Sequence, residues 1–205
     1  MLVFSMVFFT ACGNNAEENK AENPKDQQTQ VQEDKQEDKA DKSENKKSQE
    51  EAKLTDDNSV VLYIGYESAG FQEKRVPMTA EQIHSDNFDE YLLDAISKET
   101  GWQLDLAQPI EDLDGGKVIS FSDKSAFVVG PPEPQKDEYH VYDNYELAQN
   151  ILGTIQKTLD MNMSDGQGAN SLDLYFEMNG KSIVVEDQMI PFDKPWNEVS
   201  DKIFS

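Results

Sequence analysis

The chain has 205 residues, 41 acidic against 18 basic, for a formal net charge of −23. That balance argues against nucleic acid, whose phosphates are held by Lys and Arg, and against a domain lying on an anionic lipid surface. A single cysteine excludes a disulfide framework and a four-thiolate zinc site, and His84 and His140 stand too far apart to read as a ligand pair.

Residues 1–11, "MLVFSMVFFTA", are apolar but too few for a membrane-spanning helix, which needs about 20 apolar residues. They read as the apolar region of a secretory signal. Phe9, Thr10, Ala11 and Cys12 then follow the order apolar, small, small, cysteine. This resembles the signal of bacterial lipoproteins, with Phe9 where leucine is usual. The resemblance implies cleavage before Cys12, lipidation of its sulfur and acylation of its new amino group. Stable anchoring takes more than one acyl chain, and such a cysteine carries at least two.

Residues 13–53 hold 12 acidic and 8 basic side chains and no aromatic residue. Such a segment buries too little to offset the entropy of ordering, so a disordered, charged tether is expected over 12–53, starting at the lipidated cysteine. As a flexible coil, 41 residues span roughly 35 Å. The remainder, 54–205, carries 29 acidic and 10 basic residues and is long enough for one good core.

Within it, "SVVLYIGYES" at 59–68 is β-branched and aromatic and predicts a strand, with "FQEKRVPM" as its hairpin partner ending at Pro77. Phe88, Tyr91, Leu92, Ala95 and Ile96 predict a one-faced helix, with Asn87 and Glu90 as a capping box and Gly101 as its stop. "GGKVISFSDKSAFVVGPP" reads as two strands, around 118–121 and 127–129, that turn at Ser122–Lys124. Leu147, Ala148, Ile151, Leu152, Ile155 and Leu159 predict a second helix, opened by a capping box of Asp143 and Glu146. "SLDLYFEMNGKSIVVE" reads as a closing hairpin about the Asn179–Gly180 turn. The order predicts an α+β fold, a mixed or antiparallel sheet with both helices on one face, in a split βαβ arrangement.

The blocks "VVLYIGYESAGFQEKRVPM", "GGKVISFSDKSAFVV" and "LDLYFEMNGKSI", separated by the two helices, resemble the GerMN domain of sporulation and spore-germination lipoproteins over about 59–185. "GWQLDLAQPIED" stands where that family often has a Leu-x-x-Gly-Pro segment, and the resemblance does not reach the tail from Glu186. It implies a non-catalytic module on the extracytoplasmic face of the cell membrane that makes protein contacts, with self-assembly open to it.

Two acidic loops invite a calcium reading. "DLDGG" at 112–116 puts Gly116 and Lys117 where an EF-hand needs a ligand and a glycine, and "DMNMSDGQGAN" at 160–170 has Asp165 in the glycine place. The first reads as a turn before a strand, the second as a helix end and loop. No G-x-S-x-G elbow or glycine-rich phosphate loop occurs, and with 29 acidic residues a close carboxylate pair carries no specificity for glycoside hydrolysis. His84 and His140 read as solvated; Trp102 and Trp196 read as packing. The sequence thus assigns no catalytic or metal-binding residue and no cofactor, and one lipid attachment site, Cys12. The expected partners are the membrane, through the anchor, and an envelope protein or wall component that is itself basic. The alternative is a wall-active or substrate-binding lipoprotein, which requires a concave pocket with convergent polar groups, whereas an exposed sheet or edge favours a contact module.

Overall fold

The computed structural model describes residues 54–66, 70–164 and 171–203. The apolar start, Cys12, the charged segment to residue 53, the last two residues of the first predicted strand and most of the second acidic loop lie outside the described residues.

Strands β1 (Ser59–Tyr66) and β2 (Gly70–Pro77) form the expected antiparallel hairpin, with Val60 opposite Val76, Leu62 opposite Lys74 and Ile64 opposite Gln72. Side chains alternate across a strand, so Val60, Leu62 and Ile64 enter the core together. A one-turn helix α1 (Ala80–Ile83) follows, capped reciprocally by Thr79 and Gln82. It buries no residue, so apolar periodicity gives no sign of it.

Helix α2 (Phe88–Thr100) buries Leu92, Leu93 and Ile96 and stops at Gly101, whose φ of 84° is costly for a residue with a Cβ. Its expected capping box does not form. A side-chain cap needs extended backbone, and Asn87 sits at φ −103°, ψ 30°, inside the turn closed by the Phe88 N–H on the Ser85 carbonyl. Glu90 accepts instead from the Ile110 N–H (3.2 Å).

Strands β3 (Glu111–Leu113) and β4 (Gly116–Phe121) pair antiparallel about Asp114–Gly115, so "DLDGG" is the turn that the sequence predicts. The next segment corrects the sequence reading. Residues 127–129 are not a strand; α3 (Ala126–Val129) is a helical turn, with the Val128 and Val129 N–H groups donating to the Ser125 carbonyl. β4 already has neighbours on both edges, β3 and β5 (Asp173–Met178), and leaves no edge for a strand at 127–129.

Helix α4 (Asn144–Met163) opens with the Asp143 carboxylate accepting from the Glu146 N–H (2.7 Å). Only this half of the predicted capping box forms, because Glu146 accepts from the Tyr142 N–H. The predicted apolar stripe is wholly buried. α4 is the crossover between β4 and β5, which run parallel with Ile119 opposite Phe176.

The predicted closing hairpin is also corrected. Asn179 (φ 50°) and Gly180 (φ 77°) make the expected tight turn, and Met178 and Lys181 exchange backbone hydrogen bonds. The ladder goes no further. β6 (Ile183–Val185) pairs instead with β7 (Gln188–Ile190), whose Glu186–Asp187 turn carries no glycine signal. Helix α5 (Trp196–Ile203) then packs on β5 and β7 and buries Trp196 and Val199.

The fold is α+β, with a mixed sheet β3–β4–β5 and two antiparallel hairpins; α2 and α4 pack on β1 and on each other. The β1–β2 hairpin does not join the β3–β4–β5 sheet, so the single split sheet of the sequence reading is not formed. One cluster, including Leu62, Leu92, Ile119, Phe121, Ile151, Ile155 and Phe176, forms the core. Each such side chain contributes about 1.5–3 kcal/mol on burial.

Candidate functional site

The β1–β2 hairpin has two outer edges, and they are treated differently. An isolated two-stranded hairpin is marginal in water, so each edge matters. On the β1 side, α4 places Thr154, Thr158 and Asn162 at four-residue intervals, one above the other on one face. The Gly65 N–H donates to Thr154 Oγ1 (2.8 Å) and the Tyr63 N–H to Thr158 Oγ1 (3.0 Å); Asn162 Nδ2 donates to the Val61 carbonyl (2.9 Å). Three helix side chains thus stand where a neighbouring strand's backbone would, and this edge is closed.

The same bonds fix the orientation of β2. Because residues 61, 63 and 65 turn their backbone groups to α4, residues 60, 62, 64 and 66 bond to β2. The backbone groups of Phe71, Glu73 and Arg75 therefore point away from the hairpin. Among the described residues nothing pairs with them. Phe71, Glu73 and Arg75 are exposed, with Phe71 at 45 %. β2 is an open edge across eight residues without a bulge.

The charges around β2 are largely paired. Lys74 Nζ reaches Glu99 (3.2 Å) and Glu138 (3.4 Å), which hold its ammonium above the ordinary lysine range, first through the hydrogen bond to Glu99. Arg75 Nη1 donates to Asp56 (2.8 Å) and to Ser59 Oγ (3.0 Å). Arg75 also walls a shallow cleft of about 560 Å³, shared with His84, Phe88, Asn162 and Met163.

The chain matches no family model, and no curated protein or solved structure is significantly similar to it.

The remaining residues singled out by the sequence fall as follows. Cys12 lies outside the described residues. His84 lies on the cleft wall, and His140 is exposed with its ring against Tyr142 (4.9 Å between centroids). Trp102 and Trp196 are both buried, edge-on to Tyr139 and Phe176, which makes them packing residues as expected. In the "DLDGG" loop Asp112 is bound by Lys117, whose ammonium also meets the buried Asp89 (2.8 Å). Burial works against that ammonium, but the bonds to Asp112 and Asp89 outweigh it and raise Lys117 above its ordinary value. At the second loop the buried Asp160 accepts from the Ser171 and Leu172 N–H groups (3.1 and 2.9 Å) and from Gln156, and so holds β5's approach to α4. Among the described residues, no group of three or more His, Cys, Asp or Glu is placed to hold a metal ion, and no helix is long and apolar enough to cross a membrane.

Sequence reasoning missed the open edge and the clasp that defines it. The signal for the clasp is present: Thr154, Thr158 and Asn162 form a polar stripe beside the apolar one on a helix buried on more than one side.

Proposed function

We propose that this chain is a lipoprotein held at the extracytoplasmic face of the cell membrane through Cys12, and that its GerMN-like domain works by protein contact, in sporulation or germination, and not by catalysis. The open edge of β2 supports this reading most directly. An exposed strand is a template on which another chain can pair, with backbone bonds giving affinity and alternate side chains giving selectivity. The groups elsewhere that invite a chemical reading have structural partners: Lys117 with Asp89 and Asp112, and Asp160 with the chain entering β5.

The cleft beside Arg75 is the observation on the side of a substrate-binding lipoprotein. Its guanidinium already donates through Nη1 to the exposed Asp56 and to Ser59 Oγ, so a ligand there would share the group with an existing pair. The net charge of −19 over 54–205 would draw a basic envelope partner at rates that fall with added salt.

The anchor is tested by Cys12→Ala in cells that express the full chain. The variant should accumulate unprocessed or appear in the medium; its recovery in the membrane fraction at mature length would refute the anchor. The contact role is tested by pull-down from cross-linked cells, where turnover of a wall fragment that depends on one carboxylate would overturn it.

A further inference from the structure

The open edge of β2 has a sequence that is complementary to itself. Outward-pointing backbone groups belong to the odd residues 71, 73, 75 and 77, so a second strand must place odd residues opposite odd ones. An antiparallel copy of β2 related by a two-fold axis through Lys74 does so. It sets Glu73 opposite Arg75 of the second copy, Arg75 opposite Glu73, and Phe71 opposite Pro77 at each end. Glu73, Arg75, Phe71 and Pro77 are all exposed and share one face of the strand. Each Glu73–Arg75 pair would exchange both backbone hydrogen bonds. The Phe71 N–H would donate to the Pro77 carbonyl, and Pro77, which has no N–H, would end the ladder there.

We propose that β2 pairs with β2 of a second copy of this chain in that register, joining two hairpins into one four-stranded antiparallel sheet. The proposal rests on the contact-module reading and deepens it by naming a second copy of this chain as a partner of the open edge.

Other registers are less well matched. An axis through Glu73 sets two carboxylates directly opposite each other, and an axis through Arg75 does the same with two guanidinium groups; like charges so placed are destabilising. The chosen axis does bring the two Lys74 residues together. Each already has its ammonium between Glu99 and Glu138 of its own copy, so the pair meets with its charge compensated. The clasp from α4 also decides which edge is used, since α4 already takes up the outward backbone groups of β1. Lys74 and Arg75 are two of the ten basic residues in 54–205, and each is already matched by carboxylates of its own copy, Glu99 and Glu138 for Lys74 and Asp56 for Arg75, so the edge carries no excess of positive charge. The rest of the surface still repels a second copy, and pairing should therefore strengthen as salt screens it.

The test uses the full chain carrying Cys12→Ser, purified in mild detergent at high ionic strength, so that it does not depend on anchoring or on any envelope partner. Sedimentation should show a monomer–dimer equilibrium that shifts toward dimer between low and high salt. Glu73→Lys and Arg75→Glu each replace two attractive cross-strand pairs with repulsive ones. Each alone should weaken the dimer roughly 30-fold, about 2 kcal/mol. Mixed in equal amounts they should recover it. In the mixed pair the introduced lysine of one variant faces the introduced glutamate of the other, and the remaining native Arg75 faces the remaining native Glu73. Folding of each variant is checked by the fluorescence of the buried Trp102 and Trp196.

A second readout is geometric. Lys74→Cys lies on the axis, with about 4.5 Å between the paired Cα atoms, and should form an intermolecular disulfide. Gln72→Cys would sit about 14 Å from its counterpart and should not. A wild-type monomer at all salt concentrations, a dimer indifferent to Glu73→Lys, no recovery on mixing, or equal cross-linking at 72 and 74 would each overturn the proposal. None of these results bears on whether Cys12 is lipidated or whether a different envelope protein is bound.

Discussion

Replacing Thr154 and Thr158 together by valine tests the clasp that closes the β1 edge. Both threonines are fully buried and accept the N–H groups of Gly65 and Tyr63. Valine keeps the branched shape, so no cavity opens and helix propensity barely changes. What is lost is the acceptor. An unpaired buried donor costs about 1–3 kcal/mol, partly offset by about 0.8 kcal/mol for the added apolar group. At a mid-range cost of about 2 kcal/mol per donor, the net loss for two sites is about 2.4 kcal/mol. For a domain of this size that lowers Tm by roughly 5–10 °C. Urea denaturation followed by Trp102 and Trp196 fluorescence, with a thermal scan beside it, measures the change. Asn162→Ala should cost less, since it leaves an acceptor, the Val61 carbonyl, and not a donor. A double-variant loss below about 1 kcal/mol would mean that water reaches the β1 edge, and the distinction between a closed and an open edge would fail with it.

Gly116→Ala should be severely destabilising, because a Cβ there would lie 2.1 Å from the Asp173 carbonyl oxygen across the parallel β4–β5 pair, and backbone cannot step aside cheaply. The expected loss is roughly 3 kcal/mol, and a variant with an unchanged urea midpoint would refute the close approach. Alkaline pH should destabilise the domain through two groups. Burial and the hydrogen bond to Glu99 raise the Tyr139 phenol, and Lys117 is raised by its carboxylate partners against the effect of burial. The native state then keeps protons that the unfolded chain releases from about pH 10, so the stabilisation is complete below that pH and is lost as pH climbs toward the folded values. The advantage of the wild type over Tyr139→Phe should shrink by up to about 1.4 kcal/mol per pH unit above pH 10; a constant difference between about pH 8 and 11 would contradict the assignment.

Those parts of the molecule whose physics is local were legible in the chain. The stripes of α2 and α4 lie at helical spacing, Gly101 supplies the left-handed stop, Asn179–Gly180 supplies a tight turn, and the alternation in β1 and β2 marks a hairpin. Those signals rest on backbone geometry and on which face must leave water, and both can be read within one element. The α+β class follows from them.

Pairing between distant segments emerges only when the elements pack. "AFVV" has the composition of a strand and becomes a helical turn because β3 and β5 already occupy both edges of β4. β5 forms its turn at Asn179–Gly180, yet runs beside β4 and not back along β6, because the α4 crossover delivers it in parallel. α1 buries no residue and so shows no apolar stripe, and α5 lies in the tail beyond Glu186 that no resemblance reaches. The open edge of β2 could not be read at all from its own eight residues. A strand's backbone groups are the same in every sequence, and which of them remain unpaired depends on what packs alongside. Here three polar side chains from a helix 89 to 101 residues further along the chain close one edge of the hairpin, and among the described residues the other edge has no partner.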